Sequence, residues 1–140
     1  RAGCPNGIER IEGGLLSHGN DMTLEHTPFE AGLGRFCNLQ TATECLGHEA
    51  LLEKRDPSRQ IRPLEIDGDA VPGVNYLWPM KNQVGESVGS ISSAAWSPDF
   101  KTNVAIGMVN VDLGEPGTDL LVDAPDGPRA ARVVEKFWIR

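Results

Sequence analysis

The chain has 140 residues, of which 39% are hydrophobic and 24% are charged, the composition of an ordinary globular protein. Its net charge of −7 argues against a nucleic-acid partner, because binding phosphates requires a basic face. No apolar run approaches the roughly 18 residues of a membrane-spanning helix, so we expect no membrane partner.

The first stretch, residues 1–55, is predicted to consist of helices and loops. Apolar side chains recur at helical spacing near its start, at Ile8, Ile11 and Leu15. They predict a short helix over residues 8–12, with Asn6 as its N-cap and the glycines at 13–14 as its stop. The glycine-rich turn that follows suits a helix end as well as it suits the close approach of a backbone to a flat ligand.

The remainder of this stretch combines a loop with a second helix. A segment rich in proline and glycine is predicted to lead into a short apolar strand that ends at Leu39. Residues 47–55 are rich in helix formers and have a basic end, which predicts a helix. Because the sequence at 55–58 breaks that helix, we place a domain boundary there, between residues 1–55 and residues 56–140.

The second region carries the signals of short strands and turns. Residues 60–73 predict a strand, a turn at 67–68 and a second short extended piece. Residues 87–111 predict two strands joined by a turn at 97–101, with small or apolar side chains on both faces. Such strands can be buried on both sides, as in a small closed barrel.

A hairpin is predicted over residues 117–139, with its turn at Asp126-Gly127. Its return strand is predicted to alternate apolar and charged side chains as far as Ile139. Several short strands at close intervals indicate a barrel or a sandwich. The sequence therefore predicts the α+β class, with a mixed helical region followed by a small antiparallel β-barrel.

The cysteine pattern bears on compartment and metal binding. Cys4, Cys37 and Cys45 are odd in number and include no CxxC pair. This favours free thiols in a reducing compartment, so we expect a cytoplasmic protein. Cys37, Cys45 and His48 lack the paired spacing of a closed zinc site, and no metal is predicted.

Familiar catalytic motifs are missing from the sequence: it has no nucleophile elbow, phosphate loop, GxGxxG or HExxH. The histidines are scattered and favour surface or loop positions over a role as general base: His18, His26 and His48. A solvated helix face is favoured over a site for the charged residues of the first helix, Glu9, Arg10 and Glu12. Trp96, beside a turn, either covers a ligand or packs in the core.

Three segments in order resemble the glycine-cleavage T-protein (aminomethyltransferase) family: IERIEGGLLSHGNDMTLEHTPFEAGLG, LGHEALLEK and VGSISSAAWSPDFKTNVAIGMV. They are similar to that family's RLE helix, its glycine-rich exit ending in YGND, its TPLEAGLG and GKEAL segments and its barrel motif ending in SP. The likeness spans nearly the whole chain. CPNGIERIEGG and SAAWSPDFKTNVAIGM look most like the dimethylsulfoniopropionate demethylase branch.

The resemblance implies a tetrahydrofolate-dependent transferase that moves a methyl group from dimethylsulfoniopropionate to tetrahydrofolate. It also implies that residues 1–55 end a folate-binding domain and that residues 56–140 form its C-terminal barrel. The family's catalytic aspartate and its GYTGExG-like acidic motif are not in these residues. We therefore expect no catalytic residue here, no activity of the fragment alone, and roughly 200 or more residues encoded upstream of Arg1.

Two alternatives stay open. One is an aminomethyltransferase or the folate domain of a dimethylglycine or sarcosine dehydrogenase. The other is a non-catalytic module that uses the barrel as an interaction surface. A homodimer is a possible assembly for any of them.

The resemblance also singles out residues. Asn6 and Gly7 stand where T-proteins have an Arg-Asp pair whose arginine contacts folate, and Arg10 and Glu12 match the RLE as a helix-anchoring ion pair. The cofactor contacts that family position implies are Asn6, Trp96, Ser97, Phe137 and Trp138. For the last four of these, core packing of the barrel is the alternative.

Overall fold

The structure is a computed structural model that describes residues 6–41 and 44–139. Its helices are α1 (Gly7–Glu12) and α2 (His48–Glu53), with short 3-10 helices at Gly34–Phe36 and Val111–Leu113. Its strands are β1 (Arg59–Ile66), β2 (Trp78–Lys81), β3 (Ser87–Ser97), β4 (Thr102–Asn110), β5 (Asp119–Ala124) and β6 (Gly127–Val133). Among the helices in the described ranges, none is long and apolar enough to cross a membrane.

Helix α1 begins and ends as its sequence predicts. The Asn6 side chain accepts hydrogen bonds from the backbone N–H groups of Ile8 and Glu9, and the Glu9 carboxylate accepts one from the Asn6 N–H. This reciprocal pair is a capping box, which satisfies N–H groups that have no partner within the helix. Gly13 caps the other end, where its N–H bonds to the Glu9 carbonyl.

The prediction of a strand that ends at Leu39 is wrong. The chain turns here instead, through bonds from the Leu33 N–H to the Pro28 carbonyl and from the Phe36 N–H to the Leu33 carbonyl. The Phe36 side chain is 69% exposed, so the apolar residues of this segment are not drawn into a sheet. The second predicted helix is confirmed as α2, although it is shorter than residues 47–55.

The six strands form a closed antiparallel barrel in the order β1-β4-β3-β2-β5-β6, which confirms the predicted small barrel. Strands β3 and β4 form the predicted hairpin, paired from Gly89↔Val109 to Ser97↔Thr102. Strand β2 is a strand that the sequence reasoning missed. It is short and contains Pro79, and only Trp78 and Met80 point inward, so its pattern is weak. The second extended piece predicted within residues 60–73 is irregular chain.

Strand β4 is buried on both faces because it separates two groups of apolar side chains. One face fills the barrel, where Leu64, Trp78, Ile91 and Val109 belong to the core. The other face supports α1, through a cluster of Ile11, Ile61, Val104, Ile106 and Met108. Burial of apolar surface contributes about 25 cal/mol per Å2 and is the dominant favourable term in folding. The barrel and α1 are therefore one packed unit.

The predicted return strand is too long. Strand β6 ends at Val133, and the hairpin turn is Pro125-Asp126, because Gly127 already pairs with Ala124. The residues after the strand cross to α1 instead, where the Ile139 N–H bonds to the Glu12 carbonyl at 3.0 Å. Residues 134–139 lie outside the strands, and Ile139 is 43% exposed, so its side chain is not buried as the predicted alternation requires.

Candidate functional site

A cleft of about 390 Å3 lies between α1, the turn after it and strand β3. Its lining includes apolar groups of Ile8, Ile11 and Val74 and polar groups of Asn6, Asn20 and Ser93. Among the described lining residues, Arg10 alone carries a charge. The Arg10 Nη1 lies 2.6 Å from Asp21 Oδ2, so that charge is balanced. A neutral cleft with apolar walls and amide groups suits an uncharged, flat, partly polar ligand.

Asp21 is a buried carboxylate beneath this cleft, only 3% exposed. Its Oδ1 accepts hydrogen bonds from the hydroxyls of Ser92 and Ser93, both at 2.6 Å. Its Oδ2 accepts from Arg10 Nη1 at 2.6 Å and from the Ser17 N–H at 2.8 Å. A buried charge is costly unless it is paired and hydrogen-bonded, and here both carboxylate oxygens are satisfied.

These contacts set the protonation state of Asp21. Burial raises the pKa of its carboxyl, but the hydrogen bonds from Ser92, Ser93, Ser17 and Arg10 outweigh burial and hold the pKa below its ordinary value. Asp21 is therefore a carboxylate at neutral pH, and its charge compensates that of Arg10.

A bulge in β3 makes this arrangement possible. Successive residues of a regular strand point to opposite faces, so neighbouring serines would not reach the same partner. The register with β4 shifts between Ile91 and Ser93, and a bulge of this kind re-aims side chains. As a result Ser92 and Ser93 both donate to one oxygen of Asp21.

The ion pair predicted between Arg10 and Glu12 is wrong. Arg10 pairs with Asp21, and its guanidinium also donates to the Leu15 carbonyl and the Ser93 hydroxyl. Glu12 accepts from the Ser97 hydroxyl at 2.6 Å and is 2% exposed. The prediction that Glu12 lies on a solvated helix face is therefore also wrong. Glu9 does lie on the exposed face. Two side chains from the last turn of α1 thus bind β3 at separate points, Arg10 at Ser93 and Glu12 at Ser97.

The predicted cofactor contacts fall in different environments. Asn6 lines the cleft. Ser97 is fully buried and already donates to Glu12, and Trp96 is half-buried on β3. Phe137 and Trp138 are partly buried and pack against the cluster beneath α1. The last four are not among the residues that line this cleft, and their contact with a ligand stays a prediction.

A second cavity of about 620 Å3 lies between the turn at residues 19–26 and the barrel. His26 and Tyr76 line it, and His26 Nδ1 accepts from the Thr23 N–H at 3.0 Å. His18 is exposed, and His48 Nε2 lies 2.9 Å from the Leu39 carbonyl.

Within the described ranges, no group of His, Cys, Asp and Glu side chains could hold a metal ion. Cys37 and Cys45 are free thiols, whereas Cys4 lies outside the described residues.

Sequence reasoning missed the polar network itself. Asp21, Asn20, Ser92 and Ser93 were not proposed as functional residues. The signal that could have found Asp21 is its place in the glycine-rich turn that follows α1, since an acid in that turn can reach the arginine of the helix. The contribution of the serines depends on the bulge in β3, which no pattern in the sequence indicates.

The family is defined by the barrel. Residues 59–139 match the glycine cleavage T-protein C-terminal barrel domain, and the chain belongs to that family.

Individual relatives agree with this assignment. The chain is 51% identical over 140 residues to the dimethylsulfoniopropionate demethylase DmdA of Ruegeria pomeroyi, covering 99% of this chain and 37% of the relative. It is 34% identical over 133 residues to an aminomethyltransferase of Prochlorococcus marinus, covering 94% and 35%. The crystal structure of glycine cleavage system aminomethyltransferase T from Bartonella henselae superposes with a TM-score of 0.81 at 26% identity, covering 93% and 37%. The chain thus spans little more than a third of the length of these relatives.

Proposed function

We propose that the chain is the C-terminal part of a tetrahydrofolate-dependent methyltransferase that demethylates dimethylsulfoniopropionate. The observation that carries this proposal is the difference in identity among relatives over nearly the same span. The demethylase of Ruegeria pomeroyi is 51% identical, whereas the aminomethyltransferase of Prochlorococcus marinus is 34% identical.

In this proposal residues 1–55 end the folate-binding domain and residues 56–140 form the barrel that follows it. The packing of α1 against β3 and β4 supports a site built where the two meet. The cleft at that junction is neutral, with amide groups of Asn6 and Asn20 beside apolar walls. This donor set fits the uncharged ring system of a folate better than it fits an anionic group.

The methyl transfer requires this part of the protein mainly to position the methyl donor and the acceptor. A sulfonium is already a strong methyl donor, and tetrahydrofolate supplies the nucleophilic nitrogen when it is bound. Holding the methyl donor and the acceptor nitrogen in line can by itself lower the activation barrier by about 7–11 kcal/mol in favourable cases. We propose that Asn6 contacts the folate from the rim of the cleft, and that the acid–base groups of the reaction lie outside this chain.

Aminomethyl transfer is the second candidate function. The fold similarity to the Bartonella henselae aminomethyltransferase, with a TM-score of 0.81, supports it, because a protein named for aminomethyl transfer has this scaffold. The two candidates differ in donor and in product, so they can be separated directly.

The test uses the entire open reading frame that carries this chain. The protein is incubated with tetrahydrofolate and dimethylsulfoniopropionate, and the products are followed by mass spectrometry. We expect 5-methyltetrahydrofolate and methylmercaptopropionate in equal amounts. Formation of 5,10-methylenetetrahydrofolate from an amine donor, without demethylation of the sulfonium, would instead support the second candidate.

A chimaera tests whether this chain carries the demethylase character. The chain replaces the matching C-terminal part of the Ruegeria pomeroyi protein, which it covers at 51% identity. We expect the chimaera to demethylate the sulfonium, and Asn6→Arg to reduce that activity more than Asn6→Ala does. Both substitutions remove the helix cap, so their difference reports on the cleft and not on the stability of α1.

A further inference from the structure

We propose that Asp21 is a positioning residue of the cleft: its carboxylate fixes Arg10 and Asn20 in the cleft wall without itself touching the ligand. The importance of this for folate rests on the proposed function above. The positioning of the wall is a property of the chain alone and can be tested separately.

Asp21 contacts the wall of the cleft without being part of its lining. Arg10, Asn20, Ser92 and Ser93 all line the cleft, whereas Asp21 does not. Three of them bond to the Asp21 carboxylate directly, and the fourth does so through Ser93. Asp21 therefore supports one side of the cleft, and that side is formed by residues of α1, of the turn after it and of β3.

Ser93 links Asp21 to Arg10 and Asn20 through hydrogen bonds whose directions are fixed. Its hydroxyl has one proton, which it donates to Asp21 Oδ1. Its oxygen is then left to accept, from Arg10 Nη2 at 2.6 Å and from Asn20 Nδ2 at 2.8 Å. Asn20 Nδ2 also donates to the Ser92 carbonyl at 3.0 Å. The acceptor at Asp21 thus decides which way the Ser93 hydroxyl points, and with it where Arg10 and Asn20 sit.

The isosteric replacement Asp21→Asn cannot reproduce this pattern of hydrogen bonds. If the amide oxygen faces the two serines, the amide NH2 faces the donors of Arg10 and Ser17. If the amide is flipped, its NH2 faces the two serine hydroxyls. Ser92 can then donate to the Ile106 carbonyl, but the Ser93 oxygen already accepts from Arg10 and Asn20 and has no lone pair left for a third donor. Either orientation leaves donors without an acceptor in a buried site, which costs more than the loss of one bond.

Glu12 provides a matched control. It is as buried as Asp21, at 2% against 3% exposed, and it also binds α1 to β3 through a serine at 2.6 Å. It does not line the cleft. In Glu12→Gln the amide oxygen can still accept from the Ser97 hydroxyl, so the same chemical change leaves its contact intact.

The kinetic experiment compares Asp21→Asn with Glu12→Gln in the full-length protein, measuring KM and kcat for both substrates. We expect Asp21→Asn to raise the KM for tetrahydrofolate about tenfold, the equivalent of one well-made hydrogen bond, and to change the KM for the sulfonium less than twofold. Glu12→Gln should leave both KM values within about twofold of the original. A loss of kcat in Asp21→Asn with both KM values unchanged would indicate a smaller folded fraction, and would overturn the proposal.

A second readout does not depend on any ligand. The Ser17 N–H bonds to Asp21, and the Asn20 N–H bonds to the Ser17 carbonyl, so hydrogen exchange of these amides reports the network. We expect faster exchange at residues 17–22 in Asp21→Asn and not in Glu12→Gln. Unchanged exchange there would refute the positioning role, whether or not the protein proves to use folate. Faster exchange in a protein that neither binds nor methylates tetrahydrofolate would refute the proposed function while supporting the positioning role.

Ser93→Ala serves if Asp21→Asn does not fold. It removes the bridge to Arg10 and Asn20 while the direct pair of Arg10 with Asp21 remains. We expect about a threefold rise in the KM for tetrahydrofolate, which is half the effect of Asp21→Asn in free energy. No rise would contradict the role of Ser93 as the link in the cleft wall.

Discussion

Gly14 lies directly beneath the ring of Phe137, and this contact offers a sharp test of how the C-terminal residues pack. Gly14 has φ +66, a conformation that side-chain-bearing residues rarely adopt. A Cβ added at this position would lie 2.4 Å from Cδ2 of Phe137. Gly14→Ala therefore introduces both backbone strain and a collision with the ring.

The two contributions can be estimated separately. A left-handed conformation costs an alanine about 1–2 kcal/mol. Overpacking against a ring that must shift costs about 1–3 kcal/mol more. We expect Gly14→Ala to lower the free energy of unfolding by about 2–5 kcal/mol, measured by urea denaturation with tryptophan fluorescence.

Two further variants separate strain from collision. Gly19 has φ +89 and nothing within 4 Å of an added Cβ, so Gly19→Ala should cost only the backbone contribution of about 1–2 kcal/mol. In a Phe137→Ala background the collision disappears, and Gly14→Ala should then cost about as much as Gly19→Ala does. An equal cost of Gly14→Ala with and without Phe137 would refute the reasoning, because it would mean that the ring is turned away from Gly14.

Three other predictions concern single contacts. Asn6→Ala removes the cap of α1 and should lower the free energy of unfolding by about 0.5–2 kcal/mol in the same urea assay. Asn103→Ala leaves the Val71 N–H and three carbonyls of residues 66–69 without their buried partner, so exchange of the Val71 amide should accelerate. The folded pKa of Asp21 lies below its ordinary 3.8, so its contribution to stability is complete above that value and is lost as the pH falls through the folded pKa. Unfolding measured from pH 6 to pH 2 should show this loss, and Asp21→Asn should reduce the slope below pH 4; an unchanged slope would contradict it.

Local signals were sufficient where the sequence decides the structure locally. The cap at Asn6 and the hairpin of β3 and β4 depend on neighbouring residues, and both are confirmed. The strand predicted to end at Leu39 is wrong because an apolar run forms a strand only when a partner strand is available. The return strand predicted to reach Ile139 is wrong because β6 ends at Val133 and the Ile139 N–H bonds to the Glu12 carbonyl instead of to a strand.

The candidate site was less predictable than the fold. The cap residue Asn6 was identified because family position and helix signals agree on it. Asp21 was not, because its importance comes from partners 71 and 72 residues away on β3. Those partners converge only through the bulge in β3, which is a property of the sheet and not of any short segment.

The closure of the barrel is uneven, and this has a consequence for how its strands are held together. Strand β1 pairs with β4 along its whole length, from Arg59↔Asn110 to Ile66↔Asn103. The hairpin of β5 and β6 joins the rest at two narrow seams, of which the one with β2 consists of Met80↔Val122 and Lys81↔Leu121. The β1–β6 seam is also short, from Leu64↔Val133 to Ile66↔Ala131. The hairpin of β5 and β6 is therefore held in the barrel mainly by the side chains that it buries in the core, Leu120, Val122, Ala131 and Val133, and less by its backbone pairing with the other strands.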